Sequence, residues 1–343
     1  MQTVSSHALP IARPRATAPT MRALLQSGYG GPEVLRVGTA PRPTPRDGEV
    51  LVRVHAAGLD RGTWHLMTGR PYLMRLMGFG FRRPKRPIAG LDLAGTVVEV
   101  GPKVTRFQPG DAVFGIGAGS FAEYALARED KLVHKPARLS FDQAAVLGVS
   151  GGTALQALER GGLQAGEHVL IVGASGGVGT FAVQLAKARG ATVTGVCRAD
   201  KVEMVRSIGA DHVVAYTRPD FADGSTRHDL VLDVGGNTPL SRLRRAMTAS
   251  GRLVFVGGEH GGDWTGGFGR QLGAFALSPF VRQRFLPLMT REHRDHLEPL
   301  AALADEGKLA PVLDRRVPLT GVVDALRDLV AGQIRGKVVI TVG

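Results

Sequence analysis

Ala174-Ser175-Gly176-Gly177-Val178-Gly179, preceded by Gly173, lies between a continuous apolar run, His168 to Val172, and a segment with helical spacing, Phe181 to Ala188. Glycines at these intervals suit phosphate binding. Gly176 lets the backbone approach a pyrophosphate and Gly179 lets a helix pack tightly on a strand. The free N–H groups and dipole at the helix start hold the negative charge. The glycine pattern alone is weak. Here a strand precedes it, a helix follows, and a second strand, Ala191 to Val196, closes a βαβ unit, so it reads as a dinucleotide fingerprint with Ala174 in the first glycine position.

The end of that second strand selects the nucleotide. A bare ribose 2′-hydroxyl calls for a carboxylate there, about 20 residues after the loop. Cys197 and Arg198 occupy the place, with Lys201 one helical turn later. A cationic pair suits a 2′-phosphate, so NADP(H) is the expected cofactor; Asp200, between the two, is the group that argues against it. Gly235, Gly257 and Gly258 are expected at the C-terminal ends of later strands, on the binding edge of a parallel sheet.

The elements that position these residues follow from the pattern. From Met21 to about Ser150 the chain shows short β-branched runs, such as Val50 to Val54 and Thr96 to Val100, separated by turn pairs. After Ser150, strand and helix alternate in units of roughly 25–30 residues, which predicts a parallel sheet covered on both faces. The last stretch reads as a helix, Val322 to Val330, and a strand, Lys337 to Val342. The fold class is therefore α/β.

Composition sets the limits. The chain has 343 residues, 43% apolar and 21% charged, enough for two domains with cores and too apolar for a disordered polymer. Its apolar stretches are broken well short of the ~18 residues a spanning helix needs. The single cysteine, Cys197, rules out an internal disulfide or Cys-rich zinc site and reads as a reducing, cytoplasmic setting. The net charge of +13 comes from 35 Arg against 8 Lys, a compositional bias rather than a binding pattern, so no nucleic-acid partner is expected. Residues 1–20 hold no acidic residue and no apolar periodicity. They read as a disordered tail or an overlong start.

Several further motifs fall in a recognisable order: Gly31-Pro-Glu-Val-Leu35, Gly90-Leu-Asp-Leu-Ala-Gly95, Gly110-Asp-Ala-Val-Phe-Gly115, Ser120-Phe-Ala-Glu-Tyr124 and Arg335-Gly-Lys-Val-Val-Ile340. With the glycine loop, they make the chain resemble a medium-chain dehydrogenase/reductase of the zinc-independent, quinone-oxidoreductase-like branch. The resemblance runs from Met21 to Gly343. It implies a GroES-like β-rich catalytic domain, residues 21–150 and 285–343, with a Rossmann NADP-binding domain, 151–284, inserted. It also implies a homodimer or homotetramer.

Metal-dependent members of that family hold a catalytic zinc between the domains. At the positions of their ligands this chain has Asp60, Leu91 with Asp92, and Leu147, and leucine cannot ligate zinc. No metal is expected. Alcohol oxidation in the family relies on zinc to stabilise an alkoxide. The reading is therefore NADPH-dependent hydride transfer to a small hydrophobic quinone or α,β-unsaturated carbonyl, which delocalises the charge it receives. Two alternatives stand beside it: a carbonyl/alcohol oxidoreductase, and a cofactor-responsive, zeta-crystallin-like RNA-binding protein.

The resemblance also nominates residues. The loop from Gly58 to His65 lines the family's cleft, which makes Asp60, Thr63 and His65 catalytic candidates. Tyr72 resembles a proton-donating tyrosine of enoyl reductases. Thr153 resembles the threonine opening the domain-linking helix, Tyr216 a tyrosine bordering the adenosine phosphate, and Lys337 a residue reaching the cofactor from the C-terminal segment. The stretch 70–86 holds six basic and no acidic residues, mixed with Tyr72, Leu73, Met74, Leu76, Met77, Phe79 and Phe81. It reads as a lid over a hydrophobic substrate or a peripheral contact with an anionic membrane, with Phe275 to Met289 as its partner or as a subunit contact.

Overall fold

The computed structural model describes residues 19–73, 75, 80–216, 221–258, 262–264 and 266–342. Residues 1–18 of the anticipated tail, and Met74, Leu76, Met77 and Phe79 of the basic stretch, lie outside the described residues.

Strands β1 (Thr20–Gln26) and β2 (Leu35–Pro41) form an antiparallel ribbon. The alternation read from Val50 to Val54 belongs to a longer strand, β3 (Glu49–Leu59), which ends in helix α1 (Arg61–Thr68). Next come β4 (Asp92–Val100), β5 (Ala112–Ile116), β6 (Tyr124–Arg128), β7 (Leu132–His134), α2 (Phe141–Ala144) and α3 (Gly148–Gly161). The inserted unit follows as β8 (His168–Val172), α4 (Gly177–Ala188), β9 (Thr192–Cys197), α5 (Val202–Ser207), β10 (His212–Ala215), β11 (His228–Asp233), α6 (Leu240–Arg245), β12 (Met247–Phe255), α7 (Phe268–Leu277) and β13 (Arg284–Pro287). The chain then returns through α8 (Arg294–Asp305), β14 (Leu313–Pro318), α9 (Val322–Val330) and β15 (Lys337–Thr341).

The inserted sheet has the order β10-β9-β8-β11-β12-β13, every pairing parallel. Numbered from β8 as strand 1, that is 3-2-1-4-5-6, the doubly wound order whose switch point lies beside the first strand. Val169 to Val172 are wholly buried because helices cover both faces. β13 is the sixth strand of this sheet, so the boundary anticipated between 284 and 285 falls inside a strand. That four-residue strand ends in proline and shows no alternation, which is why the sequence does not announce it.

The other sheet has the order β14-β15-β3-β4-β5-β7, with β6 also paired to β3. Its strands come from both ends of the chain: β15 lies antiparallel to β3, with Val338 opposite Leu59. This closure brings the start of β15 beside the end of β3 and the start of β4, and the same C-terminal segment touches the glycine loop. The fold is α/β, a GroES-like β-rich domain with an inserted Rossmann domain.

Candidate active site

The glycine loop has the geometry its spacing implies. Gly173 leaves β8 with φ 93° and its N–H donates to the Val196 carbonyl of β9, 3.0 Å. A Cβ on Gly179 would lie 2.1 Å from the Gly173 oxygen, so α4 packs against the strand end only because position 179 has no side chain. Gly176 differs: the nearest atom to a Cβ there is 3.6 Å away, so its face is open. No side chain caps the start of α4, and its first N–H groups and dipole point outward from the sheet edge. An open glycine beside an uncapped helix start is what a pyrophosphate requires.

The other residues expected on this edge fall into two kinds. Gly235 and Gly257 keep the strand ends close: the Gly235 N–H donates to Val172 O and that of Gly257 to Asp233 O, each 3.0 Å. Gly258 approaches Gly267. Tyr216 donates its backbone N–H to Cys197 O, and its hydroxyl lies 3.6 Å from where a Gly235 Cβ would be. It thus lies beside the ends of β8, β9 and β11.

At the end of β9 the two cations separate. Arg198 is exposed and pairs with Asp200, Nε to Oδ1 3.2 Å. Lys201 is buried, and its ammonium donates to the carbonyls of Gly332 (2.8 Å) and Ile334 (2.6 Å). Burial depresses its pKa, with Asp200 opposing. Lys201 therefore ties the C-terminal segment to the Rossmann domain rather than standing free for a phosphate. Arg335 is the second exposed cation at this strand end: it is half exposed and lies 3.7 Å from Asp200. The sequence gives Arg335 only as part of the terminal motif. Tertiary structure carries it across 134 positions of chain to the nucleotide edge.

Asp60 caps α1, its Oδ1 accepting the Thr63 N–H at 2.7 Å and the Thr63 hydroxyl at 3.3 Å. It is buried, as are Asp92 and Lys337. Lys337 Nζ lies 3.0 Å from Ser150 Oγ and 3.5 Å from Asp92 Oδ2, while Asp92 Oδ1 accepts the Val149 N–H at 2.7 Å. Burial raises the Asp60 pKa, against Lys337 and the Thr63 bonds, with Glu292 adding to the rise. Burial also pushes Asp92 up to about 7, Lys337 opposing and Asp60 adding. The stem of Lys337 crosses the glycine loop: a Cβ on Gly177 would lie 2.9 Å from Lys337 Cδ. The Gly336 N–H donates to Ser175 O, 2.9 Å. This cluster couples the cleft loop to the cofactor loop.

Ser150, not Thr153, is the α3 hydroxyl that reaches it. Thr153 donates to Val149 O, 2.7 Å, and lines a cleft with Gln156, Glu292 and His296. Ser150 lies one helical turn before Thr153 and carries no sequence signal of its own. His65 and Tyr72 lie apart from the cluster. His65 Nδ1 is 2.9 Å from Arg70 O, at the end of α1. Tyr72 packs edge-on against Trp264, 5.3 Å between centroids, with Arg75 4.6 Å from its ring.

The described part of the 70–86 stretch docks on the Rossmann domain. The Tyr72 N–H donates to Asp263 O (2.7 Å) and Arg70 pairs with Asp263 (3.1 Å). The described neighbours of this stretch are therefore Asp263 and Trp264. Arg75 donates to the carbonyls of Gly69 and Thr68 and closes the C-terminus of α1. Two of the six cations are thereby engaged in contacts within the chain, Arg70 from an exposed position.

Among the described residues no group of three His, Cys, Asp or Glu could hold a metal ion, and none of their helices is long and apolar enough to cross a membrane. Leu91 and Leu147 supply no donor, and the Lys337 ammonium already faces Asp92. The side chains here do not suit the family's zinc.

Residues 46–137 match the alcohol dehydrogenase GroES-like domain, and residues 208–340 match the zinc-binding dehydrogenase family. The chloroplast envelope quinone oxidoreductase homolog of Arabidopsis thaliana is 33% identical over 93% of this chain and 98% of its own. Among solved structures, the quinone oxidoreductase from Coxiella burnetii superposes with a TM-score of 0.83 at 29% identity, over 95% of this chain and all of the other. The CurK enoyl reductase gives a TM-score of 0.83 at 26% identity, over 94% of this chain and 99% of that one. With matches to both domains and similarity over almost the whole length, this chain belongs to the quinone-oxidoreductase-like branch of the medium-chain dehydrogenase/reductase superfamily, and is an oxidoreductase with a nicotinamide cofactor.

Proposed function

We propose that the chain is a metal-free reductase of quinones or α,β-unsaturated carbonyls with NADPH as hydride source. The observation that carries this is the make-up of the cleft: Asp60, Leu91, Asp92 and Leu147 stand where the family's metal-dependent members have zinc ligands and their neighbours, and the buried ammonium of Lys337 faces Asp92. Without a Lewis acid, the acceptor must itself spread the negative charge, as a conjugated carbonyl does. The names of the similar proteins, quinone oxidoreductases and an enoyl reductase, support the same class.

When bound, the reduced nicotinamide supplies the hydride. Ala174 to Gly179 would hold the pyrophosphate, with Gly235, Gly257 and Gly258 along the edge and Tyr216 beside the adenosine. Arg198 and Arg335 would clasp the 2′-phosphate on either side of Asp200, Lys201 fixing the segment that carries Arg335. Lys337 would lie under the loop. Thr63 orients Asp60, Thr153 holds its turn of α3, and His65 and Tyr72 position the stretch that covers the acceptor.

The test is oxidation of NADPH and of NADH against a panel of quinones, enones and aldehydes, with and without EDTA. NADPH consumption with quinones or enones, unchanged by EDTA, is expected. Alcohol oxidation lost on chelation, or a preference for NADH, would overturn the reading.

A further inference from the structure

The proton that completes such a reduction has a source in the same cleft, and the argument for it rests on the reductase reading. Three strand ends meet there. Leu59 faces Val338 across β3 and β15, which makes Asp60 and Lys337 the next facing positions, and Gly58 faces Asp92 across β3 and β4. Asp92 fills the space of two glycines: a Cβ on Gly58 would come within 2.9 Å of Asp92 Cβ, and one on Gly148 within 2.6 Å of its Oδ1. Among the described residues, the groups facing the two carboxyls are Lys337, Thr63, the Val149 N–H and, at longer range, Glu292, with Ser150 Oγ accepting from Lys337. One ammonium thus compensates two buried carboxyls.

The hydrogen bonds are unequal. Both Asp92 oxygens have donors and Asp60 Oδ1 has two, whereas Asp60 Oδ2 is buried with no partner, on a residue only 5% exposed. A bare carboxylate oxygen buried without a donor is costly, and neighbouring buried carboxyls do not both ionise against a single cation. A proton on that oxygen removes both penalties.

We propose that Asp60 and Asp92 share one proton, held on Asp60 Oδ2, and that Asp60 delivers it to the reduced acceptor. Once the acceptor has gained a hydride, its oxygen or α-carbon carries the electron pair. The Asp60 O–H bond breaks, a new O–H or C–H bond forms with that pair, and Asp60 remains as a carboxylate beside Lys337 until water from solvent restores the proton. Asp92 is a positioning residue: its charge keeps the proton on Asp60 by engaging the Lys337 ammonium.

Infrared spectroscopy of the full chain at pH 7, without cofactor, tests this with Asp60→Asn and Asp92→Asn. Both changes are isosteric, and Asn at position 60 still caps α1. Wild type is expected to show the C=O stretch of a buried carboxylic acid. Both variants should lack it, because removing either carboxyl leaves a one-to-one pair with Lys337. No band in wild type, or a band surviving in Asp60→Asn, overturns the shared proton. In turnover, Asp60→Asn should lower kcat about 100-fold with NADPH binding intact, and Asp92→Asn should move the alkaline limb of the kcat profile to lower pH. An unchanged kcat in Asp60→Asn overturns the delivery. A band present in a wild type that reduces no acceptor would support the shared proton while overturning the reductase reading and the delivery with it.

Discussion

The ammonium of Lys201 lies 2.6 Å from the carbonyl oxygen of Ile334, so the first turn after β9 is bonded to a segment 133 residues further along the chain. Lys201→Met would leave that carbonyl and the one of Gly332 unsatisfied. Urea unfolding is expected to show a loss of about 1–3 kcal/mol. The preference for NADPH over NADH should persist, since the phosphate falls to the arginines; a variant of unchanged stability and reversed preference would return Lys201 to the phosphate.

Arg198 and Arg335 flank Asp200 at the same strand end. A charge-assisted bond contributes about 1.5–3 kcal/mol, so each Arg→Ala change should weaken NADPH binding about 10- to 100-fold. NADH binding should change little. Fluorescence titration of both nucleotides reads the result, and equal losses for the two would refute a 2′-phosphate contact.

Two glycines of one loop should respond differently to a methyl group. Gly179→Ala forces a Cβ against the Gly173 oxygen and the Ala174 backbone, and should cost about 1–3 kcal/mol of stability as α4 shifts. Gly176→Ala meets nothing closer than 3.6 Å and has an extended backbone, φ −86° and ψ 177°. Its melting temperature should match wild type while nucleotide affinity falls, because the methyl group takes the open face.

The Asp60–Asp92 pair gives the pH dependence. Burial raises both carboxyls, Asp92 to about 7, so the native pair holds a proton that the unfolded state has released above about pH 4. The stabilisation is complete below that point and is lost as pH rises through about 7. Unfolding free energies of wild type and Asp92→Asn at pH 5, 6, 7 and 8 should therefore draw apart, wild type losing relative stability by up to about 1.4 kcal/mol per pH unit. Parallel profiles would show that the pair holds no proton beyond those of two ordinary carboxylates.

What the sequence determined is local or periodic. The apolar run before the glycines, the helical spacing after them and the repeat of strand and helix are written within short windows, so the βαβ unit, the two-domain class and the nucleotide loop are legible. The replacement of zinc ligands by Leu91 and Leu147 is legible too, because a side chain without a donor atom cannot ligate in any fold. Tertiary structure alone decided which charges meet. Lys201 and Arg198 look equivalent in sequence, yet one is buried on carbonyls and the other is exposed, because the residues before β15 return beside the turn that follows β9. The same return sets Lys337 between Ser150 and Asp92 and leaves Asp60 Oδ2 without a donor. A charge acts through distance and burial, and these depend on strand pairings that span almost the whole chain.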